Sequence, residues 1–240
     1  MEVPLVLWLD EIGEAQLPLV GGKACNLGRL VSAGLPVPVG FCLTKAAYQA
    51  FVEHAGLHGR DQIQPEELLA AGLPSCVTGV LTESYARLGL QTAVAVRSSA
   101  SVEDSMGASF AGQYDTFLNV VGIDRVIESV KSCWAGLWSE RSLAYQVSQG
   151  GDLSAQFMGV LIQRQVDAHV AGVLFTLNPL AAQEEEMVIE AAWGLGQAVV
   201  SGCEDPDTYI VHTETARILS HHRSQQRMMV VLAPGGGVGG

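Results

Sequence analysis

The period of the apolar positions changes several times along the chain. VPLVLWL, residues 3–9, is a short continuous apolar run and predicts a strand. Gly21 and Gly22 then break the chain. In KACNLGRLVSA, residues 23–33, Ala24, Leu27, Leu30 and Val31 recur at three- and four-residue intervals, which predicts a helix burying that stripe. Gly34 is placed to end it, and Pro36 and Pro38 forbid continuation. VPVGFCLT, residues 37–44, predicts a strand, and Thr44 is a suitable cap for the helix KAAYQAFVEHAG that ends at Gly56. Pro65 fits the first turn of PEELLAAG, and a further helix is expected over about 76–88.

TAVAVRSSA, residues 92–100, predicts a buried strand that runs into a hydroxyl-rich turn. Residues 101–116 hold small-residue breaks and no apolar period, so they read as a loop of hairpin-like form. TFLNVVG predicts a strand. Residues 123–150 predict a helix with Val126, Ile127, Val130, Trp134, Leu137 and Trp138 on its apolar face. From residue 157 the segments FMGVLIQRQV, AHVAGVLFTLNP, EMVIEAAWG, AVVSG and DTYIVHT read as strands. The closing RMMVVLAPGGGVGG has few side chains to pack and predicts a frayed tail. The expected class is α+β, with larger portions over about 1–100 and 155–235 and a loop with helices over 101–150.

Composition narrows the function classes. The 48% hydrophobic and 16% charged content excludes a disordered tail or a coiled coil. The net charge of -12, from 25 acidic and 13 basic residues, argues against general nucleic-acid or anionic-membrane binding. No apolar run reaches about 18 residues, so no membrane-spanning helix is expected. The N-terminus lacks a basic segment, so no secretory signal is expected. Five widely spaced cysteines without a C-x-x-C pair read as scattered buried thiols in a reducing cytoplasm. The histidines form no H-E-x-x-H, and His221-His222 read as solvated.

Candidate chemistry lies in the breaks. Only Lys23, Lys45 and Lys131 supply lysine, and Lys23 follows two glycines at the head of a predicted helix. Glycines allow close approach, and a helix N-terminus with a cation is a natural phosphate site. It is not a Walker A loop, since Leu17 and Ala24 occupy the required Gly and Ser/Thr positions. A plain Gly-Gly turn with a solvated lysine is the other reading. Arg97 comes off an apolar strand and must meet water or an anion, with Ser98, Ser99 and Ser101 supplying hydroxyls. Pairing with Asp104 in a structural turn is the alternative. The small residues around Gly107 and Gly112 could fold amides over phosphates or form a simple hairpin. EAAWGLGQAV imitates a dinucleotide fingerprint, but Val199 holds the third glycine position and Gly202 and Pro206 follow too soon for its helix. A turn between antiparallel strands fits better. Glu190 ends an apolar strand, where a carboxylate can point into a cleft.

Taken in order, these segments resemble one family. GGKACNLGRLVSAGLPVPVGFCLT is similar to the opening of the nucleotide-binding domain of phosphoenolpyruvate synthase and pyruvate phosphate dikinase. AVRSSASVEDSMGASFAGQYDTFLNV resembles its central signature, and EAAWGLGQAVVSGCEDPDTYIV its later strand-turn motif. Rifampicin phosphotransferase and the glucan-water dikinases share the domain, and the likeness covers most of residues 15–215. It implies an ATP-grasp fold in which two α+β subdomains hold a nucleotide cleft between them. It also implies ATP and Mg2+ as cofactors, with Lys23 and Arg97 on the phosphates in binding and catalytic roles. Gly112 and Thr116 would belong to the loop over the nucleotide and Gln163 to the hinge beside adenine and ribose; Glu190, from its place at the strand end, is counted with the cofactor-binding residues.

Two departures stand out. Cys25 replaces a small apolar residue, and Gln197 replaces the family's usual Glu. The resemblance implies a phosphohistidine domain as partner, and places the metal-holding segment and that domain beyond Gly240. Residues 1–240 are therefore expected to be a partial ATP-binding domain that does not turn over alone. Phosphate would pass from ATP to the histidine and on to pyruvate, an antibiotic or a glucan. A non-catalytic ATP-binding module is the competing expectation.

Overall fold

Short apolar runs in the first two-thirds of the chain become an antiparallel sheet. The computed structural model describes residues 3–60, 62–100, 116–139, 142–143, 157–179 and 185–239. These fall into two compact units, 1–165 and 166–240. Among the described residues no helix is long and apolar enough to cross a membrane.

In the first unit, β1 (Val6–Trp8), β2 (Gly40–Leu43), β3 (Val94–Ala100), β4 (Thr116–Val120) and β5 (Met158–Arg164) lie in the order β1-β2-β5-β3-β4. Every neighbouring pair is antiparallel. Helices α1 (Leu17–Val20), α2 (Gly22–Ser32), α3 (Lys45–His54), α4 (Pro65–Ala70), α5 (Ser75–Leu88) and α6 (Ile123–Gly136) belong to the same unit. Thr44 caps α3 as expected, its hydroxyl oxygen accepting from the Ala46 amide at 3.2 Å.

Strand alternation gives the sheet two different faces. Phe41, Leu43, Val94, Val96, Val160 and Ile162 point into the main core with Phe51 of α3, Leu81 of α5 and Trp134 of α6. Trp134 stacks on Phe51 with ring centroids 5.1 Å apart and donates from Nε1 to the Met158 carbonyl at 3.0 Å. Tyr48 accepts from Trp138 Nε1 at 2.9 Å, and burial pushes its hydroxyl up to about 12 although that bond pulls the other way. The opposite face carries Cys42 and Leu161, packed with Leu9, Ile12, Val20, Ala24 and Cys25.

The burial of α2 differs from the leucine stripe its sequence suggests. Gly22, Ala24, Cys25 and Gly28 are its buried residues, while Leu30 is 41% exposed. The reason is close approach: a Cβ at Gly28 would lie 2.3 Å from the Ile12 carbonyl oxygen. Small residues make the contact, and Leu27 and Val31 pack at its border. α6 buries its expected face but ends at Gly136, whose carbonyl accepts from the hydroxyls of Ser139 and Ser142. Of the expected continuation to residue 150, residues 140–141 and 144–150 lie outside the described residues.

The second unit is an antiparallel meander of β6 (Val170–Phe175), β7 (Glu186–Trp193), β8 (Asp207–His212) and β9 (Ile218–His222). AVVSG is not a strand; it forms the short helix α7 (Gln197–Ser201) between β7 and β8. Gly194, at φ +83°, turns the chain out of β7, and Gly202, at φ +66°, ends the helix. Burial of Leu195 and Ala198 outweighs the strand preference of Val199 and Val200. The tail is also ordered: β10 (Val231–Leu232) pairs with β11 (Val238–Gly239), because a hairpin ladder needs backbone groups rather than side chains. His221 is not simply solvated. It stacks on Tyr209 with centroids 4.2 Å apart and sits 4.0 Å from the Asp207 carboxylate. Cys25, Cys42 and Cys133 are buried thiols as expected, whereas Cys76 and Cys203 are exposed.

Candidate functional site

The site grows out of β3. Val94, Val96 and Ala100 belong to the main core, so alternation turns Ala95, Arg97 and Ser99 to the α2 face. In the antiparallel register Thr116 stands opposite Arg97 and Gln163 opposite Ala95. Directly opposed residues share a face. Arg97, Thr116 and Gln163 therefore stand on one side of the sheet, and α2 lies on that same side.

Gly21 makes the approach of α2 possible. Its φ of +79° and ψ of 172° lie in a region essentially restricted to glycine. A Cβ there would fall 2.1 Å from the Ser99 carbonyl oxygen. The turn starts α2 directly on β3, with the Ala24 amide donating to Ser99 Oγ at 3.0 Å. Lys23, half-buried, donates from Nζ to the Ser98 carbonyl at 2.8 Å. The ammonium is thus anchored one residue from half-buried Arg97, at the positive end of an eleven-residue helix. Two cations beside helix-terminal amides can neutralise and bind a polyphosphate.

The other candidates are placed as follows. Thr116 opens β4 and is exposed. Gln163 is 7% exposed, and its side-chain amide donates to the Pro38 carbonyl at 2.9 Å. Glu190 is half-buried in β7 of the second unit, between Val173 and Thr208. Gly112 lies outside the described residues, as do Ser101, Asp104 and Gly107. Ser98 does not offer its hydroxyl to the α2 face: it alternates toward the core side, where its buried oxygen has no hydrogen-bond partner among the described residues. Its contribution is the backbone carbonyl that takes Lys23, which the side-chain pattern does not reveal. No group of three or more His, Cys, Asp or Glu among the described residues is arranged to hold a metal ion.

Comparison with known proteins bears on this geometry. Residues 17–238 match the family model for the pyruvate phosphate dikinase AMP/ATP-binding domain. The chain belongs to this family. The dikinase-family domain is 40% identical over 244 residues to the phosphoenolpyruvate synthase of Aeropyrum pernix, covering 91% of the chain and 30% of that protein. It is 34% identical over 295 residues to the phosphoenolpyruvate synthase of Pyrococcus furiosus, covering 100% and 36%. With the rifampicin phosphotransferase of Bacillus subtilis it shares 35% over 246 residues, covering 94% and 28%. The domain spans about a third of the length of these relatives.

Proposed function

We propose that the chain is the ATP-binding part of a dikinase-type phosphotransferase of ATP-grasp architecture. In this reading Lys23 and Arg97 hold the polyphosphate, Thr116 and Gly112 belong to the segment over it, and Gln163 and Glu190 serve the rest of the nucleotide. The observation that carries the proposal is the anchoring of Lys23 Nζ on the carbonyl of Ser98, the residue after Arg97 on β3. Membership of an AMP/ATP-binding family supports the ligand.

The chain's own residues supply positioning and charge. Phosphoryl transfer proceeds with little covalent help from protein groups, so fixed cations and oriented amides stabilise the charge that spreads over the transferred group. Lys23 is a compact point charge, and Arg97 offers a planar fork suited to two phosphate oxygens. Mg2+, when bound with ATP, would supply positive charge that offsets the phosphate charge during transfer. Its protein ligands are not assigned. The phosphate is proposed to pass to a histidine on another domain of a longer, cytoplasmic protein, and then to pyruvate, as the names of the phosphoenolpyruvate synthases suggest. The rifampicin phosphotransferase match supports a second reading, in which the final acceptor is an antibiotic.

Calorimetric titration with Mg-ATP tests the binding half. Saturable binding that weakens in Lys23→Ala supports it, and no binding by the folded chain overturns it. Incubation with β- and γ-labelled ATP tests the transfer half: label retained on this chain would put the acceptor within it and overturn the assignment to another domain.

A further inference from the structure

Ser99 has two contacts with the turn that carries Lys23. Its hydroxyl oxygen accepts the Ala24 amide at 3.0 Å, and its carbonyl lies where a side chain on Gly21 would otherwise stand. Ser99 itself is fully buried. Its neighbour's carbonyl takes the lysine head. Gly21 just before the helix and Ala24 within it therefore both meet one strand residue, two positions after Arg97.

We infer that Ser99 is a positioning residue for the phosphate site: it fixes the first turn of α2 on β3 and so sets the separation of the Lys23 ammonium from the Arg97 guanidinium. The inference rests on the ATP reading above. Lysine has a long stem with many rotamers, and anchoring its backbone at Ala24 and its head at Ser98 leaves little freedom between. Ser99 also occupies one helix-start amide that would otherwise seek a ligand, so the remaining amides face a defined point. Sequence alone presents Ser99 as one of several hydroxyls; only the register of β3 separates it from Ser98, which faces the other way.

The test is titration of the 240-residue chain and its Ser99→Ala variant with Mg-ATP and, separately, with adenosine. Ser99→Ala is expected to weaken Mg-ATP roughly three- to thirtyfold, the equivalent of one lost hydrogen bond to an oriented group. Adenosine affinity should stay unchanged, because the base and ribose do not depend on Lys23. In a Lys23→Ala background the Ser99→Ala effect should largely vanish. Ser99→Cys keeps the volume with a weaker acceptor; it should fall between the two and serves if Ser99→Ala does not fold. Equal Mg-ATP affinity in folded Ser99→Ala overturns the positioning role alone, as does a parallel loss of ATP and adenosine. A wild-type chain that binds no ATP overturns both the role and the reading beneath it.

Discussion

Lys23 and Ser98 are 75 positions apart in sequence, yet the lysine Nζ donates to the serine carbonyl at 2.8 Å. The contact joins the start of a helix to the middle of a strand. It also places the ammonium beside Arg97, whose side chain stands on the same face. Two positive side chains on one face suit an anion that can meet both.

Substitution should expose the purpose of that arrangement. Lys23→Ala or Arg97→Ala is expected to weaken Mg-ATP binding by about 1.5–3 kcal/mol, the range for a charged hydrogen bond. Arg97→Lys should recover only part of the loss, because the planar fork is absent. Calorimetry on folded variants checks this. Unchanged affinity in Arg97→Ala would remove Arg97 from the site.

Gly21 is the least replaceable residue of the turn. Alanine there meets both a glycine-only backbone conformation and a Cβ position 2.1 Å from the Ser99 oxygen. The expected loss is at least about 3 kcal/mol, combining backbone strain with overpacking. Denaturant titration measures it. Gly34→Ala is the control: its φ is +77°, but no atom lies within 4 Å of the added carbon, so its loss should be smaller.

Much of the first unit is legible locally. The intervals of Val126, Val130 and Trp134 mark α6, Thr44 marks the start of α3, and the apolar run before Arg97 marks β3. Lys23 and Arg97 are recognisable from their breaks as well. That Lys23 reaches the strand carrying Arg97 is not, since it depends on α2 packing against β3, which no local period records. The α2 stripe misleads for a related reason: leucines mark where a helix could be buried, but Gly28 against Ile12 decides where it is. β9 leaves no trace, because all five residues are exposed and no alternation of burial exists to be read. In α7 two valines favour a strand locally, and the burial of Ala198 reverses that preference.

Trp134 gives a direct measure of the main core. Fully buried, it packs on Phe51 and satisfies the Met158 carbonyl. Trp134→Phe should cost about 1–3 kcal/mol, chiefly from the carbonyl left without its donor. Trp134→Ala adds a cavity and should cost about 3–5 kcal/mol. Urea unfolding should show a lower midpoint at nearly constant slope. Equal stability of Trp134→Phe and wild type would mean that the Nε1 bond contributes nothing.

Asp207 makes the second unit sensitive to acid. Its carboxylate accepts the Ser224 amide at 2.9 Å, and it is held below the usual carboxylate range first by that bond. Burial, the next effect in size, opposes it, and the Ser224 hydroxyl and the nearby His221 and Arg223 charges act in the same direction as the amide. A lowered folded pKa means that the unfolded chain takes up the proton more readily. The stabilisation is therefore complete above the unfolded value, about 3.9 for aspartate, and disappears as pH falls from there through the lower folded value. Asp207→Asn should lower stability near neutral pH, because an amide oxygen is a weaker acceptor, and should flatten the acid limb. His221 sits 4.0 Å from the Asp207 carboxylate, so a His221→Gln background isolates the carboxylate. Melting temperatures followed downward through about pH 3.9 decide the matter. An acid limb of the same steepness in Asp207→Asn and wild type would show that the Ser224 bond is not what acid breaks.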